Sequence, residues 1–307
     1  MTARQDQPTP HNGPALGTRA GPSASPRASL TVIDCRVCGF AHLETLPNEA
    51  TLADFYRDDF WTKEKPGALA RIERQWQWLR EIYGDWLEVV ELYTPGRRLL
   101  DVGCGYGHFL KAAFERGFDV EGIDPSERAV RYASIQTGCR PWLGLWDEVP
   151  FPFGGGFSVL SALWLVEHLP NPLRFLRWAH DHLAPGGVLL VAVPNDFSAI
   201  QERVNGKVGN PSWWLHHTHC NYFNWTTLAN VLGRAGFRVV ERLTMYPMEN
   251  FLDLGHDYTV NDAFGEQLHR QVEAQDLILN RRERIARYAD MARRGEGREL
   301  IVVGVRE

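Results

Sequence analysis

A short glycine-rich run near the middle of the chain restricts the fold more than any other feature. The run Leu99-Leu100-Asp101-Val102-Gly103-Cys104-Gly105-Tyr106-Gly107 predicts a buried strand that ends at a tight turn. A second apolar stretch, Phe118-Asp119-Val120-Glu121-Gly122-Ile123, ends directly before Asp124. Glycines let the backbone approach a ligand closely, and an acid at the second strand tip can accept hydrogen bonds from ribose hydroxyls. The pattern therefore predicts a nucleotide-binding βαβ unit.

The residues around this turn favour one kind of nucleotide. A dinucleotide-binding turn has a third glycine at the position where this chain has His108. Asp101 stands just before the turn, where its carboxylate would repel a pyrophosphate and attract an ammonium group. S-Adenosylmethionine (SAM) has a ribose and an ammonium group but no phosphate. The charge pattern therefore favours SAM over NAD.

Several segments together resemble one enzyme family. The run from Asp101 to Gly107, followed by Asp124, resembles the first two motifs of the class I SAM-dependent methyltransferases. The segment Glu167-His168-Leu169 with the following Pro170-Asn171-Pro172 resembles the family's sequence after strand four, and Val193-Pro194-Asn195 resembles its usual end of strand five. The resemblance implies an enzyme of the small-molecule branch, which transfers the SAM methyl group to an oxygen, nitrogen or carbon of an acceptor.

The resemblance also implies a set of cofactor contacts along the first three strands. They are Asp101, Gly103, Cys104, Gly105, Gly107, Asp124, Pro125, Trp146 and Asp147. Relatives usually place an acid that binds the adenine amino group at the position of Leu145, so this chain departs from the pattern. The adenine contact then falls to a backbone group, to Asp147 or to stacking on Trp146. A plain core role for Trp146 is equally compatible with the sequence.

Two histidines are candidates for a general base, since histidine is the usual base near neutral pH. His168 follows strand four, and His219 lies in the segment Asp196–Asn224 after strand five. In relatives the histidine after strand four often holds its loop in place instead, and Asn195 is a further candidate for the acceptor pocket. The same segment is rich in aromatic side chains that suit a ring-shaped acceptor: Phe197, Trp213, Trp214, Tyr222 and Phe223.

Two groups of potential metal ligands lead us to expect no bound metal. Cys35-Arg36-Val37-Cys38-Gly39 has the spacing of one zinc-ribbon knuckle, His42 adds a third potential ligand, and no second C-x-x-C occurs. Since structural zinc has four ligands, this is a metal-free remnant unless distant groups or a second chain complete it. His216, His217 and His219 are neighbours in one loop, which is a poor spacing for chelation.

Strands and helices alternate from position 98 onward, which predicts an α/β fold with a doubly wound, mostly parallel seven-stranded sheet and helices on both faces. The expected strands are Arg98–Val102, Val120–Ile123, Pro141–Trp146, Phe157–Leu163, Val188–Val193, Phe237–Leu243 and Glu299–Val305. The expected helices are Gly67–Tyr93, Gly107–Arg116, Ser126–Gln136, Pro172–Leu183 and Trp225–Ala235. In such a sheet, ligands bind at the carboxyl ends of the strands.

The composition divides the chain into three regions. Residues 1–30 are rich in Pro, Ala, Gly, Ser and Thr and predict a disordered tail. Residues 31–66 form a small extension with the cysteine knuckle, and residues 67–307 form the methyltransferase domain. An insertion at Met245–Gly297 combines apolar residues at helical spacing with many charges. We expect it to form an amphipathic helix over the acceptor site or against a second subunit, as in a homodimer.

Charge and composition exclude several partners. The net charge of -5 gives no basic surface for nucleic acid. No apolar run approaches the roughly 20 residues of a membrane helix, and the first residues contain no secretory signal. Five irregularly spaced cysteines argue against a disulfide framework. We therefore expect a cytoplasmic enzyme that acts on a small molecule. Two alternatives stay open: an NAD-dependent oxidoreductase, and a catalytically idle SAM-fold partner subunit, for which Leu145 is the best support.

Overall fold

The computed structural model describes residues 15–20, 29–150 and 156–307. Its strands are Ala15–Ala20 (β1), Ser29–Cys35 (β2), Phe40–Leu43 (β3), Arg98–Val102 (β4), Asp119–Asp124 (β5), Trp142–Leu143 (β6), Phe157–Leu163 (β7), Leu183–Pro194 (β8), Asn221–Tyr222 (β9), Phe237–Leu243 (β10) and Glu299–Arg306 (β11). Its α-helices are Glu49–Asp54 (α1), Ala68–Glu91 (α2), His108–Glu115 (α3), Glu127–Thr137 (α4), Pro172–His182 (α5), Ala199–Asn205 (α6), Trp225–Arg234 (α7), Glu249–Asp253 (α8), Asp262–Ile278 (α9) and Arg281–Arg293 (α10). A π-helix spans Phe55–Glu64, and a 3₁₀ turn spans Val166–His168.

The main sheet has seven strands in the order β10-β11-β8-β7-β4-β5-β6. Strand β11 is antiparallel to both of its neighbours, whereas β4, β5, β6, β7 and β8 are joined by parallel pairings. The central strands are buried along almost their whole length, as expected for parallel strands covered by helices on both faces. The predicted α/β fold is confirmed.

Two predicted strands differ from the observed ones by more than one residue at an end. The third strand, predicted over Pro141–Trp146, is only Trp142–Leu143. It is the edge of the sheet and pairs only with β5, and Gly144 leaves the strand with a φ of 149°. The fifth strand is longer than predicted and begins at Leu183. The reason is that β7 pairs with residues both before and after the Pro-Gly-Gly turn.

The N-terminal extension forms a second, four-stranded antiparallel sheet with the order β1-β2-β3-β9. Residues Ala15–Ala20 therefore form a strand, which corrects the expectation of a disordered tail for this segment. This strand is held by backbone pairing with β2. The expectation rested on amino-acid composition, which does not show such pairing. Residues 1–14 and 21–28 of the expected tail lie outside the described residues. Because β9 comes from the Asp196–Asn224 segment, the extension shares its sheet with the predicted acceptor segment.

The insertion after β10 contains three helices, α8, α9 and α10, instead of the single amphipathic helix that we expected. Polar contacts join α9 and α10 to α2. The indole nitrogen of Trp78 donates to Asp276 at 2.9 Å, and the guanidinium of Arg284 contacts both carboxylate oxygens of Asp85 at 2.7 and 2.8 Å. Arg284 and Asp85 are both buried. None of the helices in the described ranges combines the length and the apolar composition that crossing a membrane requires.

We predict that Asp85→Ala destabilises the protein by about 3 kcal/mol or more, because it leaves the buried guanidinium of Arg284 without its main carboxylate partner. Urea unfolding followed by circular dichroism measures the loss. The matched control is Asp290→Ala, which breaks ion pairs to Arg293 and Arg294 that lie on the surface and should leave the midpoint unchanged. Equal, small shifts in both variants would show that the α2–α10 contact does not stabilise the fold.

Candidate functional site

The glycine turn between β4 and α3 is tied to β5 by backbone hydrogen bonds. The amides of Gly103 and Cys104 donate to the carbonyl of Ile123 at 2.8 and 2.9 Å, and the amide of Gly105 donates to the Asp124 carboxylate at 2.9 Å. Gly103, Gly105 and Gly107 have φ angles of 73°, 51° and 77°. Residues other than glycine rarely adopt such positive φ angles. The turn therefore needs glycine at all three positions.

Two of these glycines make room for different neighbouring residues. A Cβ on Gly107 would lie 2.6 Å from the Cβ of Ala133, so this glycine allows α3 to pack against α4. A Cβ on Gly105 would meet only the ring of Trp61, at 3.1 Å. Gly107 thus allows α3 and α4 to pack together, whereas Gly105 allows the ring of Trp61 to lie close over the turn.

Two buried carboxyl groups flank the turn. Asp101 accepts a hydrogen bond from the hydroxyl of Ser161 at 2.7 Å, and burial raises the pKa of Asp101 to about 7. Asp124 accepts one bond from the amide of Gly105 and one from the amide of Ser126, each at 2.9 Å, and burial raises its pKa to about 6. Since each carboxylate oxygen can accept two hydrogen bonds, Asp124 retains capacity for ribose hydroxyls.

One cavity of about 1000 Å³ extends from the glycine turn to the segment after β8. It collects the predicted site residues Asp101, Gly103, Cys104, Gly105, Asp124, Pro125, Trp146, Asp147, His168 and His219. Gly107 is absent from its lining, in agreement with its packing contact to α4. The tertiary structure thus brings the predicted cofactor contacts and both candidate bases to the same enclosed space.

The contacts of Trp146 and Asp147 are partly structural. The ring of Trp146 lies 5.4 Å from the rings of both Phe175 and Trp178, with edge-to-face geometry. The guanidinium of Arg174 lies over the same ring at 5.1 Å and donates to Asp147 at 2.7 Å. The α5 side chains therefore fix both residues at the cavity wall. Their contact with adenine stays a prediction.

His168 is buried and His219 is partly buried, and both imidazoles are neutral. The Nδ1 atom of His168 lies 2.7 Å from the carbonyl of Thr218 and 2.8 Å from the hydroxyl of Tyr56. Since a carbonyl only accepts, this contact assigns the proton to Nδ1 and leaves Nε2 as the proton acceptor. Burial lowers the pKa of His168 to about 4 and that of His219 well below its usual range. Their ring centres are 4.9 Å apart.

The sequence analysis missed the side chains that the π-helix brings to the cavity. Tyr56, Phe60 and Trp61 all line it, and the ring of Trp61 packs 4.5 Å from the ring of Tyr106 in the glycine turn. The aromatic residues between Phe55 and Trp61 were a visible signal. They were missed because neither strand nor helix periodicity explains their spacing.

The cavity is also lined by charged side chains that the sequence analysis missed. Arg298 and Glu299, at the start of β11, line the cavity, and the guanidinium of Arg298 contacts Glu249 at 2.7 Å. Burial raises the pKa of Glu299 and of Asp196 to about 7. Glu167 is buried as well, neither of its carboxylate oxygens has a hydrogen-bond partner among the described residues, and burial raises its pKa well above the usual range.

Three groups of potential metal ligands occur among the described residues, and within each group the ligand atoms lie within 4.8 Å of one another. They are Cys35, Cys38 and His42; Glu64, His216 and His217; and Glu167, His168 and His219. In the first group the amide of Cys38 lies 3.4 Å from the Cys35 sulfur. Within the described ranges no fourth His, Cys, Asp or Glu joins that group at this spacing. A metal-free knuckle stays a prediction.

Comparisons with known proteins give one consistent assignment. The profile of the family described as "Methyltransferase domain" matches residues 71–242. The ubiquinone biosynthesis O-methyltransferase of Caulobacter sp. (strain K31) is 35% identical over 111 residues, which cover 33% of this chain and 43% of that protein. The protein of the same name from Psychrobacter arcticus is 28% identical over 167 residues, or 48% of this chain and 64% of that protein. The chain thus spans less than two thirds of either relative's length.

Solved structures agree on the fold. Magnesium protoporphyrin IX methyltransferase from Synechocystis PCC 6803, with bound SAH, superposes with a TM-score of 0.52 at 14% identity and covers 85% of this chain and 100% of its own. A SAM-dependent methyltransferase from Thermotoga maritima, described as a possible histamine N-methyltransferase, has a TM-score of 0.50 at 17% identity and covers 80% of this chain and 100% of its own.

We predict that Gly105→Ala weakens SAM binding at least tenfold, because a Cβ at this positive φ would lie 3.1 Å from the ring of Trp61 and would distort the turn at the cavity wall. Gly107→Ala should instead lower the melting temperature strongly, because its Cβ would overlap Ala133. Calorimetric titration with SAM and thermal melts of both variants make the comparison. The assignment of the turn is wrong if Gly105→Ala binds SAM like the wild type.

We predict that SAM binding weakens by about tenfold as the pH falls from about 8 to about 6. Burial holds the pKa of Asp101 at about 7, so below that pH this carboxyl is neutral and does not attract the ammonium group. Titration calorimetry across this range measures the effect. Asp101→Asn should bind SAM weakly, and its SAM affinity should change less with pH. If the pH dependence of this variant equals that of the wild type, the titrating group is Asp124.

Proposed function

Since the chain belongs to the methyltransferase domain family, in the class I SAM-dependent methyltransferases, we propose that it transfers the SAM methyl group to a small-molecule acceptor. SAM, the cofactor of this family, supplies an electrophilic methyl group when bound. The observation that carries the proposal is that one cavity is lined both by Asp101 and Asp124 and by Trp213 and Trp214 of the Asp196–Asn224 segment.

The first half of the cavity suits the cofactor. Asp124 has lone pairs for the ribose hydroxyls, and Asp101 attracts an ammonium group when it is ionised. Gly105 has no Cβ, so the turn itself adds no side-chain atom at this position. The ring of Trp61 lies over the turn against Gly105 and Tyr106, and an apolar cover of this kind strengthens electrostatic attraction inside a site.

The second half suits a ring-shaped acceptor. Trp213, Trp214 and Tyr258 line it, and aromatic faces stack on flat or ring-shaped molecules. The indole N–H of Trp214 is buried and has no hydrogen-bond partner among the described residues, so it can donate to an acceptor oxygen. The relatives named for O-methylation in ubiquinone biosynthesis support a ring that bears oxygen. A sugar or a natural-product ring remains within this class.

Alignment of the two substrates is the main catalytic device in this proposal, because holding reactants in line removes much of the entropic barrier. His168 and His219 are the residues that can accept a proton from the acceptor. The low pKa of His168 keeps its Nε2 atom unprotonated at neutral pH, and it also makes this imidazole a weak base. This imidazole can therefore take a proton only from acceptors that lose it easily, and a base is needed only where the acceptor must lose a proton.

The two alternatives receive less support. A dinucleotide would bring a pyrophosphate to the turn beside Asp101, and His108, at the place of the third glycine, is occupied by a contact to Glu73 at 3.0 Å. An idle partner subunit does not require a second, aromatic half of the cavity. We also propose that the protein acts in the cytoplasm, that it has no nucleic-acid partner and that it forms a homodimer.

We predict that the purified full-length protein produces S-adenosylhomocysteine from SAM when one of a panel of hydroxylated aromatic, quinol and sugar acceptors is added. Mass spectrometry of the acceptor identifies the methylated atom. Gly105→Ala serves as the control because it should lose cofactor binding. Tight SAM binding without turnover on any acceptor would favour the idle partner subunit instead.

The matched variant for the acceptor half is Trp214→Phe, which keeps an aromatic ring and removes only the indole N–H. Loss of one hydrogen bond to the acceptor should raise the acceptor KM by about threefold to tenfold with SAM affinity unchanged. An equal loss of SAM affinity would mean that this segment acts as a lid, and the acceptor site would then lie closer to the insertion.

A further inference from the structure

One cluster at the edge of the cavity has no role in the proposed methyl transfer. Glu64 is the last residue of the π-helix, whereas His216 and His217 belong to the segment after β8. One carboxylate oxygen of Glu64 lies 3.3 Å from Nε2 of His216, and the other lies 3.5 Å from Nε2 of His217. Tertiary structure therefore supplies the third ligand that the loop histidines lack in the sequence.

We propose that Glu64, His216 and His217 bind one divalent transition-metal ion. Ligand atoms that share an ion at about 2.0–2.2 Å lie roughly 3.0–3.5 Å from one another in octahedral or tetrahedral geometry. The separations of 3.3 and 3.5 Å match this range. The same distances lie beyond the usual 2.7–3.2 Å or so of an N–H···O hydrogen bond.

Thr218 positions the ring of His216 through two contacts with its Nδ1 atom. The hydroxyl oxygen of Thr218 lies 2.7 Å from Nδ1, and the backbone amide of Thr218 lies 3.3 Å from it. The hydroxyl can donate to Nδ1 or accept from it, so it can serve as the outer partner when Nε2 binds a metal. Metal-bound histidines usually donate their second ring N–H to such an outer partner, which fixes the tautomer and the ring direction. Thr218 also anchors His168 through its carbonyl, so the cluster is attached to the wall of the cavity.

The two imidazole rings are close enough to bind the same ion. The rings of His216 and His217 have centres 4.5 Å apart, so two imidazolium ions would repel each other, and one carboxylate neutralises only one of them. A metal ion binds both imidazoles in their neutral form. With two imidazole ligands and one carboxylate, the site favours zinc-like ions over magnesium.

The site leaves coordination positions open. The side chains of Glu64, His216 and His217 are 23%, 30% and 34% exposed, and His216 lines the cavity. Catalytic metal sites use three protein ligands and an open position in this way. A heteroatom of the acceptor can occupy that position. This last step rests on the proposed methyl transfer, whereas the metal site itself does not.

The test uses chelator-washed full-length protein in the Cys35→Ser/Cys38→Ser background, which removes the thiolate cluster as a competing site. Titration with Co²⁺ is followed by visible absorption and by calorimetry. We expect saturation at a single equivalent, with ligand-field bands and without thiolate charge-transfer bands. Absence of Co²⁺ binding in this background overturns the proposal, whatever the outcome of the methyl-transfer assays.

Four further variants in the same background locate the ion. Glu64→Gln and His217→Asn should weaken Co²⁺ binding by more than about 100-fold, since even outer partners of a metal site contribute about 10–100-fold. Glu167→Gln and His219→Asn, in the other histidine cluster, should leave Co²⁺ affinity unchanged. The melting temperature and SAM affinity of each variant check the fold. Loss of binding in the second pair instead of the first would place the ion elsewhere and overturn the proposal.

Discussion

The attachment of the glycine turn to the tip of β5 is the contact on which the rest of the site depends. The carbonyl of Ile123 accepts from the amides of Gly103 and Cys104, and the carboxylate of Asp124 accepts from the amide of Gly105. These bonds fix the end of β4, the start of α3 and the acid of β5 in one rigid group. They also satisfy three backbone donors of a buried turn, which would otherwise be costly to bury. The ring of Trp61 in the π-helix packs directly against this group.

The remaining walls come from segments far apart in the chain. The π-helix lies over the turn through Trp61 and reaches His168 through the hydroxyl of Tyr56. The segment after β8 contacts the same histidine through the carbonyl of Thr218. His168 is thus held by two elements that belong to neither β7 nor its neighbouring strands. This arrangement explains why a histidine at a strand tip is fixed so firmly, whether or not it also accepts a proton.

Burial sets the electrostatics of the site. The pKa values of Asp101, Asp196 and Glu299 all rise to about 7 because burial disfavours the charged carboxylate. The pKa of His168 falls to about 4 for the same reason. Without ligand, the cavity therefore holds acids that are partly protonated and imidazoles that are neutral. A cationic ligand such as SAM favours the ionised carboxylates, so proton release and cofactor binding are coupled.

The sequence by itself determined the parallel sheet, the glycine turn and the positions of Asp101, Asp124 and His168. These features depend on local signals: apolar strands, glycine where φ is positive, and an acid at the end of a strand. Strands Phe157–Leu163 and Phe237–Leu243 were predicted to the residue for the same reason. Tertiary structure alone decided that Trp61 covers Gly105, that Glu64 meets His216, and that Ala15–Ala20 pair with β2. The residues in those contacts are not connected by any helix or strand periodicity in the sequence. The contacts form only when separate elements pack against the completed sheet.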